Sequence, residues 1–230
     1  MIEELLPPSV VAVEAYGDEG AEDAEGGLYP QEAALVARAV AKRRREFAVV
    51  RSCARRAMEK LGVPQQPVLP GERGAPRWPD GLVGSMTHCD GYGAATLARA
   101  TDLASLGIDA EPHQALPEGV LAAVSLPTEA ERLGRLSADR PEIHWDRLLF
   151  SAKEAVYKAW FPLTGLWLEF TEAELDFRAE PVDRLRGTFR ARLLVPGPVV
   201  DGHRLDHFEG RWTVQRGLMA TAVAVPPARR

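Results

Sequence analysis

The sequence predicts an α+β protein, with small antiparallel sheets packed against helix and two halves that follow a similar plan. Three observations point there. A strand-like run precedes a long helical stretch in the first half, and short strands then follow one another as a meander. The second half repeats the mixture, with helices followed by a further run of strands. The chain has 230 residues, 46% hydrophobic and 27% charged, which is globular composition sufficient for one sizeable domain or two small lobes sharing a core. No residue-level repeat is visible, so the duplication rests on the order of elements.

Residues 9–16, SVVAVEAY, read as a strand, and DEGAEDAEGG (18–27) as an acidic loop without apolar period. Pro30 opens a long helical stretch that ends near Leu61-Gly62, because proline at the first helical position forfeits no hydrogen bond. Phe47, Val50, Ala54, Ala57 and Leu61 recur every three or four residues and form one apolar face. The other faces carry Lys42, Arg43, Arg44, Arg45, Arg51, Arg55, Arg56 and Lys60. A proline- and glycine-rich loop (62–81) carries Arg73 and Arg77. Strands are expected at 82–88, 92–99 and 105–111, with Asp90-Gly91 turning between the first two. Helices follow at 117–125 and 128–136, broken by Pro127 and Pro141, then at 145–161, ended by Pro162. AELDF, GTFRARLLV, GRWTVQRG and LMATAVAVP read as strands and turns, and residues 227–230 as a tail.

The formal net charge of −5 argues against a general nucleic-acid binder. Cys53 and Cys89 set no disulfide framework, and free thiols are the expectation. The opening MIEELLPPSV lacks the basic-then-apolar order of a secretion signal, and no apolar run approaches the length of a membrane span. A cytoplasmic protein without membrane attachment is expected.

Asp109 and Glu111 sit two apart near a strand end, so period two puts both carboxylates on one face, roughly 6–7 Å apart at the backbone. Two converging acids repel unless a cation or proton intervenes, and a hard divalent ion resolves the conflict. A solvated acidic strand end is the plainer account of a D-x-E triplet alone. Glu154, between Lys153 and Lys158, changes the balance. A surface ion pair with Lys158 explains it at roughly 0.2–0.5 kcal/mol, but aromatics crowd the segment, and charges on a largely buried helix need partners. A third metal carboxylate and two phosphate-contacting lysines would supply them. In GSMTHCDGYG, Ser85 and Thr87 share a strand face and His88 points the other way; an imidazole can donate to phosphate, although a lone histidine is usually structural. The arginine-rich helix asks for an anion. Arginine favours bidentate phosphate contacts, though a solvated face or duplex binding also fits it.

Four blocks in order carry a resemblance: KRRREFAVVRSCARRAMEKLG, WPDGLVGSMTHCDGYGAA, GIDAEPH and WDRLLFSAKEAVYKAWFPLT. Together they resemble the 4'-phosphopantetheinyl transferases of the Sfp/EntD type, especially actinobacterial ones, over nearly the whole chain. The resemblance implies a pseudo-dimer of two similar lobes, residues 1–104 with the arginine-rich helix and 105–226 with the acids. Coenzyme A would lie between them, and a monomer would complete the cleft. It implies Mg²⁺, with Mn²⁺ also acceptable, on Asp109, Glu111 and Glu154. It implies coenzyme A contacts from Arg43 or a neighbour within Lys42–Arg45, Arg51, Arg73, His88, Lys153 and Lys158, with Ser85 and Thr87 in the strand lining the cleft. The phosphopantetheine arm would pass to a serine of an apo acyl, aryl or peptidyl carrier protein, releasing 3',5'-ADP. Glu154 would serve as base and Lys158 would steady the phosphates. The rivals are a metal-dependent phosphatase or nucleotide hydrolase using the same acids, and a non-catalytic coenzyme A or acidic-protein binding module.

Overall fold

The computed structural model describes residues 1–17 and 21–227. In chain order the elements are β1 (Val11–Tyr16), α1 (Ala21–Gly26), α2 (Pro30–Val36), α3 (Ala41–Lys60), β2 (Leu82–Cys89), β3 (Tyr92–Arg99), β4 (Ser105–Pro112), α4 (Val120–Val124), α5 (Pro127–Asp139), α6 (Trp145–Thr164), β5 (Ala173–Ala179), β6 (Arg186–Leu193), the short β7 (Val199–Val200) and β8 (His203–Arg204), β9 (His207–Gln215) and β10 (Leu218–Val225). They build an antiparallel three-stranded sheet, β1-β3-β2, and an antiparallel five-stranded sheet, β4-β10-β9-β6-β5. The α+β class read from the sequence is the observed one.

Each sheet carries one 20-residue helix. Cys53, Ala54, Ala57 and Met58 of α3 pack on Val13, Ala95 and Leu97 of the smaller sheet. Leu148, Leu149, Ala152, Val156 and Trp160 of α6 pack on Phe177, Phe189, Trp212 and Val223 of the larger one. A third core lies between the sheets, where Ala94 and Ala98 of β3 meet Leu106, Ile108 and Ala110 of β4 and Ala220 and Ala222 of β10. The two halves thus share buried apolar surface.

Side chains also join the sheets at their edges. Ser85 and Thr87 of β2 are buried, and their hydroxyls accept the backbone N–H groups of Ile108 and Ala110 on edge strand β4, each at 3.0 Å. An unpaired buried N–H costs about 1–3 kcal/mol, so these hydroxyls replace the missing neighbour strand. The sequence placed both in the strand lining a cofactor cleft; Ser85 does line the cleft between the lobes, Thr87 does not, and both hydroxyls bond to this seam.

The structure corrects four local readings. The acidic segment includes helix α1; its residues 18–20, and 228–230 of the tail, lie outside the described residues. The long first helix is two, because Ala37–Val40 turns the chain with neither glycine nor proline to signal it, and Val40 is extended at φ −63°, ψ 154°. Pro162 does not end α6 but sits in its last turn, which closes at Gly165 with φ 66°. So late in the helix proline forfeits one backbone bond, and Gly165 supplies the left-handed cap. β4 extends through Pro112.

The break before α3 folds α2 back, and the result is a residue-level repeat. Tyr29-Pro30-Gln31-Glu32-Ala33 opens α2, and Leu126-Pro127-Thr128-Glu129-Ala130 opens α5. Each glutamate is fully buried and reaches back to the N–H before its own helix, Glu32 to Tyr29 at 3.1 Å and Glu129 to Leu126 at 2.7 Å. Each accepts a cation from the long helix, Arg55 at 2.9 Å and Lys153 at 2.8 Å. Each takes a further backbone N–H from beyond that helix, Val68 at 2.8 Å and Leu175 at 2.7 Å. Breaking such a pair strands a buried charge at about 3–5 kcal/mol. Chemical denaturation should therefore show Glu129→Leu destabilised by about that much, and Glu129→Leu with Lys153→Met destabilised by less than the single change. A double-variant loss equal to the sum of the losses of Glu129→Leu and Lys153→Met measured singly would show the pair to be uncoupled.

Candidate functional site

Strand β4 turns Leu106, Ile108 and Ala110 toward the central core, so Gly107, Asp109 and Glu111 face α6. Contact is closest at Gly107, where an added Cβ would stand 2.0 Å from the Ala155 carbonyl oxygen and 2.7 Å from the Ala159 nitrogen. Only glycine allows the helix backbone to touch the strand there. Ser105 Oγ donates to the Ala159 carbonyl at 2.7 Å, which holds the same contact from the strand side. This approach brings Glu154 and Lys158, one turn apart on α6, against the acids of β4.

Lys158 Nζ donates to Asp109 Oδ1 at 2.7 Å and to the Ile108 carbonyl at 3.0 Å. An ammonium has three N–H groups, so one remains. Thr87 also donates to Asp109 Oδ1, at 3.3 Å, whereas Asp109 Oδ2 is buried without a partner. Glu111 Oε2 accepts from Arg147 Nη1 at 2.8 Å. Burial and the Asp109 charge push the Glu111 carboxyl above its ordinary pKa, against the pull of Arg147. Burial also raises that of Glu154, with Asp109 and Glu111 adding to the rise and Lys158 opposing it. Among the described residues no three histidine, cysteine, aspartate or glutamate side chains already converge as a cation cage. The donor chemistry nonetheless fits a hard divalent ion. The set is all oxygen, one oxygen lacks a partner, and burial followed by neighbouring acid charge disfavours the ionised form of Glu111 and Glu154.

A cleft of about 850 Å³ opens between the lobes. Ligand sites typically span ~300–1,000 Å³. Glu154, Tyr157 and Lys158 form one side; Arg43, Arg51, Arg73, Ser85 and His88 contribute to the other. Asp109, with Lys158 on its Oδ1, is not part of the wall, nor is Glu111. Arg51 lies over the Phe47 ring at 3.5 Å and keeps a buried Nε without a partner; burial lowers its pKa to about 10. Arg43 donates to Nε2 of His88. That nitrogen is therefore the acceptor, and burial together with Arg43 pushes the imidazole pKa down, so His88 is neutral and can donate only through Nδ1. Arg73 sits in a turn at φ 51°, its guanidinium 5.7 Å from the Trp167 ring.

Lys153 does not join the cleft. Its ammonium is spent on Glu129, on the Phe170 carbonyl at 2.5 Å and on the Ala173 carbonyl at 3.1 Å, and its residue is 3% exposed. No N–H is left for a phosphate, so the contact expected from the sequence is replaced by a structural role matching that of Arg55. Arg147 and Gly107 were not singled out in the sequence. Arg147 stands seven residues before Glu154 and so on the same helix stripe, which is the one signal that pointed to it.

Comparison with known proteins bears on this arrangement. Residues 31–98 match the family model of the 4'-phosphopantetheinyl transferase N-terminal domain, and residues 105–205 match that of the 4'-phosphopantetheinyl transferase superfamily. The chain is 62% identical over 225 residues to 4'-phosphopantetheinyl transferase Svp of Streptomyces mobaraensis, covering 98% of this chain and 89% of that one. It is 50% identical to 4'-phosphopantetheinyl transferase Npt of Nocardia iowensis (97% and 99% covered). It is 47% identical to 4'-phosphopantetheinyl transferase PptT of Mycobacterium tuberculosis (98% of both). Two family models that match residues 31–98 and 105–205, and relatives aligned over nearly the whole chain, agree on one assignment: the chain belongs to the 4'-phosphopantetheinyl transferase superfamily.

Proposed function

We propose that the cleft binds coenzyme A and that Asp109, Glu111 and Glu154 take a divalent cation, Mg²⁺ or Mn²⁺. The phosphopantetheine arm then passes to the serine hydroxyl of an apo acyl, aryl or peptidyl carrier protein. The observation that carries this reading is one cleft lined both by Arg43, Arg51 and Arg73 and by Glu154 and Lys158.

The arginines bind and orient. Arg51, with an unpartnered buried donor, and Arg43 suit the phosphate of the adenosine end, because guanidinium groups grip phosphate through two parallel N–H bonds. Fixing that end aligns the reacting phosphorus. The cation, when bound, would offset charge growing on the pyrophosphate oxygens. A serine hydroxyl is a weak nucleophile and needs a base. Glu154 lines the cleft, so its carboxylate is the group to accept that proton. As the serine oxygen bonds to the phosphorus bearing the pantetheine arm, its proton goes to Glu154. The bond from that phosphorus to the bridging pyrophosphate oxygen breaks, and 3',5'-ADP leaves carrying the electron pair. The remaining N–H of Lys158 is positioned to steady that charge.

Incubation with coenzyme A, Mg²⁺ and apo carrier proteins, read by intact-protein mass spectrometry, should give a carrier heavier by one phosphopantetheine. Asp109→Ala should keep its circular dichroism spectrum and lose ~10²-fold or more of the rate. Coenzyme A cleavage that ignores the carrier would instead support a hydrolase. Arg51→Ala should raise the coenzyme A requirement by roughly tenfold or more, and should discriminate less between coenzyme A and dephospho-coenzyme A. An unchanged preference would remove Arg51 from the phosphate.

A further inference from the structure

Arg147 occupies the third position of α6, in a first turn where the helix dipole disfavours a cation. Its side chain is only 12% exposed and its donors are all directed at one segment. Nη1 donates to Glu111 Oε2 at 2.8 Å, Nη2 to the Ala115 carbonyl at 2.8 Å and Nε to the Gln114 carbonyl at 3.2 Å. The carbonyl bonds prevent the guanidinium from swinging away, so Glu111 keeps its counter-ion. Two ion pairs, Arg147–Glu111 and Lys158–Asp109, therefore bracket Glu154.

This inference rests on the reading that these acids take a cation. Three carboxylates against two fixed cations leave one net negative charge when all are ionised. That is poor attraction for a divalent ion, and one oxygen of Glu111 is already engaged. The coenzyme A pyrophosphate would bring the missing negative charge. We propose that Arg147 is a positioning residue: an internal counter-ion to Glu111 that makes divalent-cation binding conditional on coenzyme A.

The test is a Mn²⁺ titration followed by the electron paramagnetic resonance of the free ion, on the folded full chain with and without coenzyme A. Wild type should bind Mn²⁺ much more tightly with coenzyme A than without. Arg147→Gln should bind Mn²⁺ without coenzyme A about tenfold or more tighter than wild type, and so narrow the gap between the two conditions. Arg147→Lys, which keeps the charge, should retain the wild-type gap. Unchanged or weaker coenzyme A-free binding in Arg147→Gln would overturn the proposal, as would an Arg147→Lys protein that behaves like Arg147→Gln. Should Arg147→Gln not fold, equal wild-type affinities in the two conditions would overturn it alone. Wild type that binds no Mn²⁺ even with coenzyme A would remove the cation reading beneath it, a distinct result.

Discussion

The backbone contact between α6 and β4 at Gly107 governs the site. A strand that carries two acids and a helix that carries a third would ordinarily be held apart by side chains between them. Removing one Cβ lets the Ala155 carbonyl sit where that carbon would be, and the acids come within electrostatic reach of each other. Their mutual repulsion follows, together with the compensation by Lys158 and Arg147. The same contact fixes which face of α6 looks into the cleft and which is buried against the five-stranded sheet.

The rest of the molecule holds that contact in place. Glu129 grips α6 through Lys153, and Glu32 grips α3 through Arg55 in the same manner, atom for atom. Ser85 and Thr87 anchor the three-stranded sheet to the outer edge of β4, so the basic wall and the acidic cluster share one frame. Thr87 also donates to Asp109, which links the seam to the site. Ion pairs this deeply buried return little net stability, since desolvation offsets most of the attraction; their value lies in fixing register.

Much of the fold and the charged cluster was legible because it depends on local period. Asp109 and Glu111 share a strand face by the period of two, and Glu154 and Lys158 share a helix face by the spacing of four. What could not be read depends on partners distant in sequence. Lys153 and Lys158 look alike on the same helix, yet one is consumed by Glu129 and the other faces the cleft. Ser85 and Thr87 were placed on the correct strand, but nothing local shows that β4 lacks a neighbour there. The turn at Ala37–Val40 has no glycine or proline, and the contact it allows, Glu32 on Arg55, joins residues 23 apart in sequence. The repeat was hidden for the same reason: its two short motifs differ at two of five positions and become recognisable only through their shared bonds.

The most direct measurement is anomalous diffraction from crystals grown with Mn²⁺ and coenzyme A. A manganese peak in direct contact with carboxylate oxygens of both Asp109 and Glu154, and with the coenzyme A pyrophosphate, is the result this structure predicts. A coenzyme A complex with no ion joining these two side chains, or with the ion held elsewhere, would contradict it.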